Sequence, residues 1–271
     1  LRELLEHPFD VWRTFLHPRQ ERIARRDGFA GPAKVTGGPG TGKTVTALHR
    51  VAHLIERYAP DGRRLTLDTD QAAPEQPILL TTFTNTLATA LDAGIRRLVD
   101  DPAQLEWVDI TTVNFQASQV LTEADGGRSP RFLTDSQELD RWRGIVQEQG
   151  LEWNAEFLQQ EYRHVVLAQR LDTLEEYLGA TRTGRGNRLA AVQRERVWKA
   201  VTAFVEGLDA DGVQTHLRGC DLAARILEEK GPRFRHVVVD EAQDLHPAQW
   251  RFLRAAVAPA PDDLFIAGDP H

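Results

Sequence analysis

The chain has 271 residues, 41% hydrophobic and 27% charged, a globular profile with room for one large domain or two modest ones. Its formal charge of −7, from 33 Lys and Arg against 40 Asp and Glu, argues against a protein that coats nucleic acid by bulk charge, while leaving room for a local basic groove. No apolar run approaches the roughly 20 residues that span a bilayer, and the acidic N-terminus lacks the apolar stretch of a signal peptide.

From Leu1 to Arg26 the pattern reads as helix, interrupted at Pro8 and Pro18. Ala33-Lys34-Val35-Thr36 is a short strand running into a glycine-rich loop, and Val45 to Tyr58 follows with apolar residues at helical spacing. Pro60-Asp61-Gly62 reads as a turn and Ala72 to Gln76 as a polar connection. Ile78 to Thr82 is a buried-strand pattern, Asn85 to Val99 a helix, and Val108 to Thr112 a third strand. Between about Glu123 and Gly219 strand signals vanish. Helical patterns at Ser136 to Gln147, Ala155 to Gln169, Leu171 to Leu178 and Arg188 to Leu208 take their place. Asp221 reads as the cap of a helix running to Glu229. His236 to Val239 is a fully apolar strand, Pro247 to Val257 a helix and Leu264 to Ala267 a last strand.

Alternating β and α signals therefore flank a helical middle. The simplest architecture is an α/β fold: a parallel sheet with helices on both faces and an all-helical subdomain inserted after the third strand. The expected boundaries are 1–120, 121–219 and 220–271, the first and last forming one α/β domain.

Gly37-Gly38-Pro39-Gly40-Thr41-Gly42-Lys43-Thr44 matches G-x-x-x-x-G-K-[ST] in full. Backbone N–H groups must curl around phosphate oxygens, which a glycine-rich turn allows, and the helix that follows adds the positive potential of its N-terminus. Lys43 is the expected contact of the β and γ phosphates, and the Thr44 hydroxyl an expected ligand of Mg²⁺. The second motif is His236-Val237-Val238-Val239-Asp240-Glu241-Ala242-Gln243-Asp244. There an apolar strand delivers Asp240 to its carboxyl end to hold Mg²⁺, partly through water. Glu241 then stands where it can orient and deprotonate the attacking water, and Gln243 where it can report the γ-phosphate to the next segment.

Asp240-Glu241-Ala242-Gln243-Asp244 beside Gly37 to Thr44 resembles the UvrD/Rep/PcrA-like branch of superfamily 1 helicases, and other motifs arrive in that family's order. Gln20, in Leu16-His17-Pro18-Arg19-Gln20, stands where the family reads adenine. Thr81-Thr82-Phe83-Thr84-Asn85 resembles motif Ia, which contacts a single strand. Thr112-Val113-Asn114-Phe115 resembles motif Ib, with Asn114 where many members carry histidine. Leu264 to Pro270 resembles motif III, which links the γ-phosphate to the bound strand. The resemblance implies a RecA-like P-loop fold with ATP and Mg²⁺ as cofactors. It implies nucleotide contacts from Gln20, Gly38, Pro39, Gly40, Thr41, Gly42, Lys43 and Thr44. It also implies single-strand contacts, to DNA first of all, from Thr82, Phe83, Thr84, Asn85, Thr112 and Asn114.

The similarity is looser over the helical middle, the place of the family's inserted 1B domain. Within it Arg182-Thr183-Gly184-Arg185-Gly186-Asn187-Arg188 is a basic loop that reads equally as a phosphate track, with Arg185 at its centre, or as a solvated turn. Trp142, Trp153 and Trp198 read as packing residues. Two departures stand out: Val45 replaces the arginine that many members place after the loop threonine, and the sequence stops at His271 within motif III.

With Leu1 first and no methionine, the chain reads as a piece of a longer protein. Its expected partner within that protein is a second RecA-like domain bringing arginines to the γ-phosphate. Alone, the piece is expected to be monomeric, to bind nucleotide and to hydrolyse it slowly. Its single cysteine, Cys220, fits a reducing cytoplasm, bacterial cytoplasm or nucleoid on the family's precedent. Two alternatives stay open: an RNA-polymerase-associated ATPase of the HelD kind that remodels transcription complexes, and a nucleotide-gated interaction module without motor activity.

Overall fold

A computed structural model describes residues 16–58, 77–184, 186, 188–270. The turn expected at Pro60 to Gly62, the connection at Ala72 to Gln76, the helix before Leu16, and Arg185 lie outside the described residues.

The chain folds into two compact units. The first comprises the described residues up to Gln116, with Leu227–Leu245 and the residues from Leu253 onward. Its frame is a five-stranded, all-parallel sheet of β1 (Ala33–Thr36), β2 (Ile78–Thr82), β3 (Val108–Thr112), β6 (His236–Val239) and β7 (Leu264–Gly268), in the order β1-β7-β6-β2-β3. Parallel strands need crossovers and bury both faces, so they read as near-continuous apolar runs. Every residue of β2 and β6 is buried. The crossovers use α2 (Lys43–Tyr58) after β1 and α3 (Asn85–Ile95) after β2, while α1 (Pro18–Ala24) precedes the sheet. The core joins Val51, Leu54 and Ile55 of α2 to Ile78, Leu80, Val238 and Phe265 of the strands. The α/β fold expected from the sequence is the observed one.

At the amino-terminal ends of the strands the core holds an ion pair, Arg50 to Asp262 at 2.6 Å, with Arg50 only 1% exposed. The guanidinium also donates to the carbonyls of Ala24 and Arg26 and lies over the rings of Phe29 and Phe265. Nearby, His236 is fully buried, with Nδ1 2.8 Å from the Asp262 carbonyl and its ring stacked on Tyr58. Burial lowers its pKa from 6.5 to about 4. The folded protein thus keeps His236 neutral where the unfolded chain binds a proton. That stabilisation is complete above about pH 6.5 and is lost as the pH falls towards about 4, a change on the order of 3 kcal/mol. Urea unfolding across that window measures it; His236→Phe should flatten the slope, and an unchanged slope would refute the assignment.

The second unit comprises Ala117–Ile226 with His246–Phe252. Its main helices are α5 (Asp135–Gln149), α6 (Ala155–Glu161), α7 (Leu174–Gly179) and α8 (Ala191–Asp211). Two further helices contribute residues to both units, α4 (Val113–Ala124) and α9 (His216–Lys230). Trp142 is fully buried, stacked on Phe204 at 4.0 Å and tilted against Tyr162, while Trp153 and Trp198 pack half-buried around the same core. All three are packing residues, as expected.

Three local details differ from the sequence pattern. The Ala155 to Gln169 pattern changes pitch, because Tyr162–Leu167 is a π-helical turn. The helix before Asp221 begins at His216, so Asp221 lies within it and pairs with Arg225 and Arg251. The unit is also not wholly helical: β4 (Arg131–Phe132) and β5 (Val213–Gln214) form a short parallel pair, too brief to give a sequence signal. Cys220 is fully buried, and burial pushes its thiol up to about 12, so it is inert.

Candidate functional site

The strand order explains how distant motifs meet. β1 ends in the glycine loop and β6 ends at Asp240, but β7 runs between them, pairing with both. Neighbouring strands lie about 4.8 Å apart, so loop and acids face each other across the end of β7, where Gly268 and Asp269 sit. The resulting cavity, about 360 Å³, is lined by Pro39, Gly40, Gly42, Lys43, Thr44, Glu241 and Asp269.

The loop enters α2 at Lys43, with Gly40 and Gly42 at positive φ. A side chain at Gly42 would strain its left-handed backbone, and its Cβ would stand 2.6 Å from Nε2 of Gln20 and displace that amide. Gln20 is held at both ends of its amide. Its Oε1 accepts from His17 N–H at 2.9 Å in a capping box, and its Nε2 donates to the Thr41 carbonyl at 2.6 Å. The glutamine therefore ties α1 to the loop. Loosening that tie by Gln20→Ala should weaken nucleotide binding for ATP and GTP alike. A loss confined to ATP would instead mark a pure adenine reader.

Lys43 is 9% exposed, and its ammonium has three close neighbours. It pairs with Asp269 at 2.6 Å and donates to the carbonyls of Gly37 at 2.9 Å and Gly38 at 3.0 Å. A phosphate that reaches the ammonium competes with these partners for its three donors. Asp240 is buried. Burial raises its pKa, opposed by a hydrogen bond from Thr44, and its Oδ1 has no partner among the described residues. A buried, unfilled carboxylate oxygen beside a threonine hydroxyl suits a hard divalent cation.

Glu241 takes a left-handed backbone, φ 52°, which turns the chain sharply off the strand. Its carboxylate accepts from Gln243 Nε2 at 2.6 Å, and Gln243 Oε1 accepts from Asp269 N–H at 2.8 Å. A Cβ on Gly268 would meet Gln243 Oε1 at 2.8 Å and Ala242 Cβ at 3.0 Å, so only glycine lets β7 come this close. Lys43, Asp269, Gln243 and Glu241 thus form one continuous polar chain. Asp269 belongs to the segment that resembles motif III, and its place beside Lys43 is set by strand order.

At the ends of β2 and β3 the expected strand-contacting residues divide. Thr82 and Thr112 are buried, and the Thr112 hydroxyl accepts from the Phe115 N–H at 3.3 Å. Phe83, Thr84 and Asn85 are exposed and Asn114 half-buried, with Thr84 capping α3 through Leu87 N–H. In the other unit Arg182 is committed to buried Glu161, at 2.5 and 2.9 Å, and this removes it from the basic loop.

A parallel sheet with a glycine loop after one strand and an acid pair after another defines a P-loop nucleotide-binding fold of the RecA-like type. The profile of the UvrD/REP helicase N-terminal domain matches residues 16–271, and the chain belongs to that family. It is 26% identical to the ATP-dependent DNA helicase UvrD1 of Mycobacterium leprae, over 92% of this chain and 32% of that protein. It is 29% identical to UvrD2 of Mycobacterium bovis (89% and 34%) and 25% identical to PcrA of Staphylococcus epidermidis (88% and 31%), both also ATP-dependent DNA helicases. The chain spans about a third of the length of these relatives. Among the described residues no helix is long and apolar enough to cross a membrane.

Proposed function

We propose that this chain is the ATP-binding portion of a superfamily 1, UvrD-like helicase or translocase that couples ATP hydrolysis to movement on single-stranded DNA. The observation that carries the reading is the continuous polar chain from Lys43 through Asp269 and Gln243 to Glu241, beside a glycine loop and an unfilled Asp240 oxygen. It joins a phosphate-binding group to a base candidate through the segment after β7.

In this reading the N–H groups of Gly38 to Thr44 cradle the phosphates, and Lys43 exchanges Asp269 for phosphate oxygens. Thr44 and Asp240 would hold Mg²⁺, which would supply positive charge against the phosphates. Glu241 orients the attacking water and takes its proton, held meanwhile by Gln243. Gln20 keeps the loop in register beneath the base. Phe83, Thr84, Asn85 and Asn114 contact the strand, Thr82 and Thr112 shape the ends from which they project, and Arg185 belongs to the same class of contact. The helical unit corresponds to the family's inserted domain. The rest of the parent protein supplies a second RecA-like domain with the arginines that speed phosphoryl transfer, so the chain alone is a slow, monomeric ATPase in the cytoplasm or nucleoid.

The test is ATP turnover with and without single-stranded DNA, in the parent protein and in this chain. Stimulation in the parent, with turnover in the chain lower by about 10³-fold or more, is expected. A parent indifferent to single strands sinks the reading.

A further inference from the structure

Four large apolar side chains are exposed among the described residues, and two of them, Phe83 and Phe115, sit at the carboxyl ends of neighbouring strands. β2 and β3 pair in parallel with Thr82 opposite Thr112, so the two strands stop at the same level. Phe83 follows Thr82 directly and is 43% exposed; Phe115, the third residue of α4, is 52% exposed. Neither ring enters the core of its unit.

Both rings stand on fixed bases. Phe115 is bonded through its N–H to Thr112, between buried Val113 and buried Gln116, and Gln116 is anchored to Asp109. Phe83 lies between fully buried Thr82 and Thr84, the cap of α3. Holding a large apolar ring in water on a rigid backbone favours any ligand that covers it.

We infer that Phe115 is a second stacking platform, which with Phe83 receives successive bases of a single strand. This rests on the single-strand reading above and adds to it a role for Phe115, which lies in the motif Ib segment but for which the resemblance implied no contact. Two features favour bases over a docking protein. The rings are interleaved with polar Thr84, Asn85 and Asn114, whereas a protein interface has a contiguous apolar centre. The segments Ile78 to Ile95 and Val108 to Ala124 contain no Lys or Arg, so recognition here runs through ring faces and not through phosphate charge.

The test is binding of a fluorescent oligothymidylate to the 271-residue chain by anisotropy, over a range of salt. Phe115→Ala should weaken binding by about 5-fold or more, while Phe115→Tyr, which keeps the ring, stays close to the wild type. Because no ion pair is removed, the slope of log affinity against log salt should be the same in Phe115→Ala. The loss should vanish on an oligonucleotide of abasic sites, which offers phosphates without bases. Thermal unfolding should be unchanged, separating the effect from misfolding. If Phe83→Ala weakens binding and Phe115→Ala does not, the platform is refuted and the single-strand reading stands. An equal loss on the abasic oligonucleotide also refutes it. If the wild-type chain binds no oligothymidylate, both inferences fall.

Discussion

Replacing Lys43 by alanine in the parent protein should lower ATP turnover by roughly 10²–10³-fold, the effect of removing one preorganised charge from a phosphoryl-transfer site. The same variant frees Asp269, which loses its 2.6 Å partner and leaves a negative group facing the phosphates. Nucleotide binding should therefore weaken as well. Glu241→Gln separates the two effects. It keeps the shape and the bond to Gln243 but removes the base, so turnover should fall by about 10²–10⁴-fold with nucleotide still bound. Steady-state turnover and equilibrium binding of a fluorescent nucleotide measure both variants. Full turnover in Lys43→Ala would remove Lys43 from the site. Equal loss of binding and turnover in Glu241→Gln would make Glu241 a structural residue.

The largest stability effect is expected at the opposite end of β7. Asp262→Ala strands the buried Arg50 guanidinium and should destabilise the first unit by about 3–5 kcal/mol. Asp262 also accepts from Phe29 N–H at 2.5 Å and has φ 62°, a conformation asparagine tolerates better than alanine. Asp262→Asn keeps an acceptor and the turn while losing the charge, so its loss should be smaller. Urea unfolding of the three proteins gives the ranking. If alanine and asparagine were equally mild, the pair would not stabilise this core. Since the pair lies far along β7 from Asp269, the fraction of Asp262→Asn that folds should turn over ATP normally.

The elements themselves were legible because each carries its own period. The apolar runs at Ile78 to Thr82 and His236 to Val239 are strands, and the i, i+3, i+4 pattern after Val45 is α2. Gly37 to Thr44 and Asp240-Glu241 were legible for a related reason: phosphate cradling constrains consecutive residues, so the requirement is written locally. The sequence by itself therefore determined the α/β fold and marked the two motifs of the candidate nucleotide site.

What it left undecided are meetings between residues far apart in the chain. Arg50 and Asp262 are 212 positions apart, and nothing near either one names the other. The role of Asp269 depends on β7 running between β1 and β6, a matter of strand order. Whether Gln20 is free or tied to Thr41, whether Thr82 is buried, and whether Phe115 faces water are likewise settled by what packs beside them. Periodicity assigns a residue to an element and a face. Only the tertiary structure, by ordering the strands and closing the core, decided which face meets a partner and which stays open to a ligand.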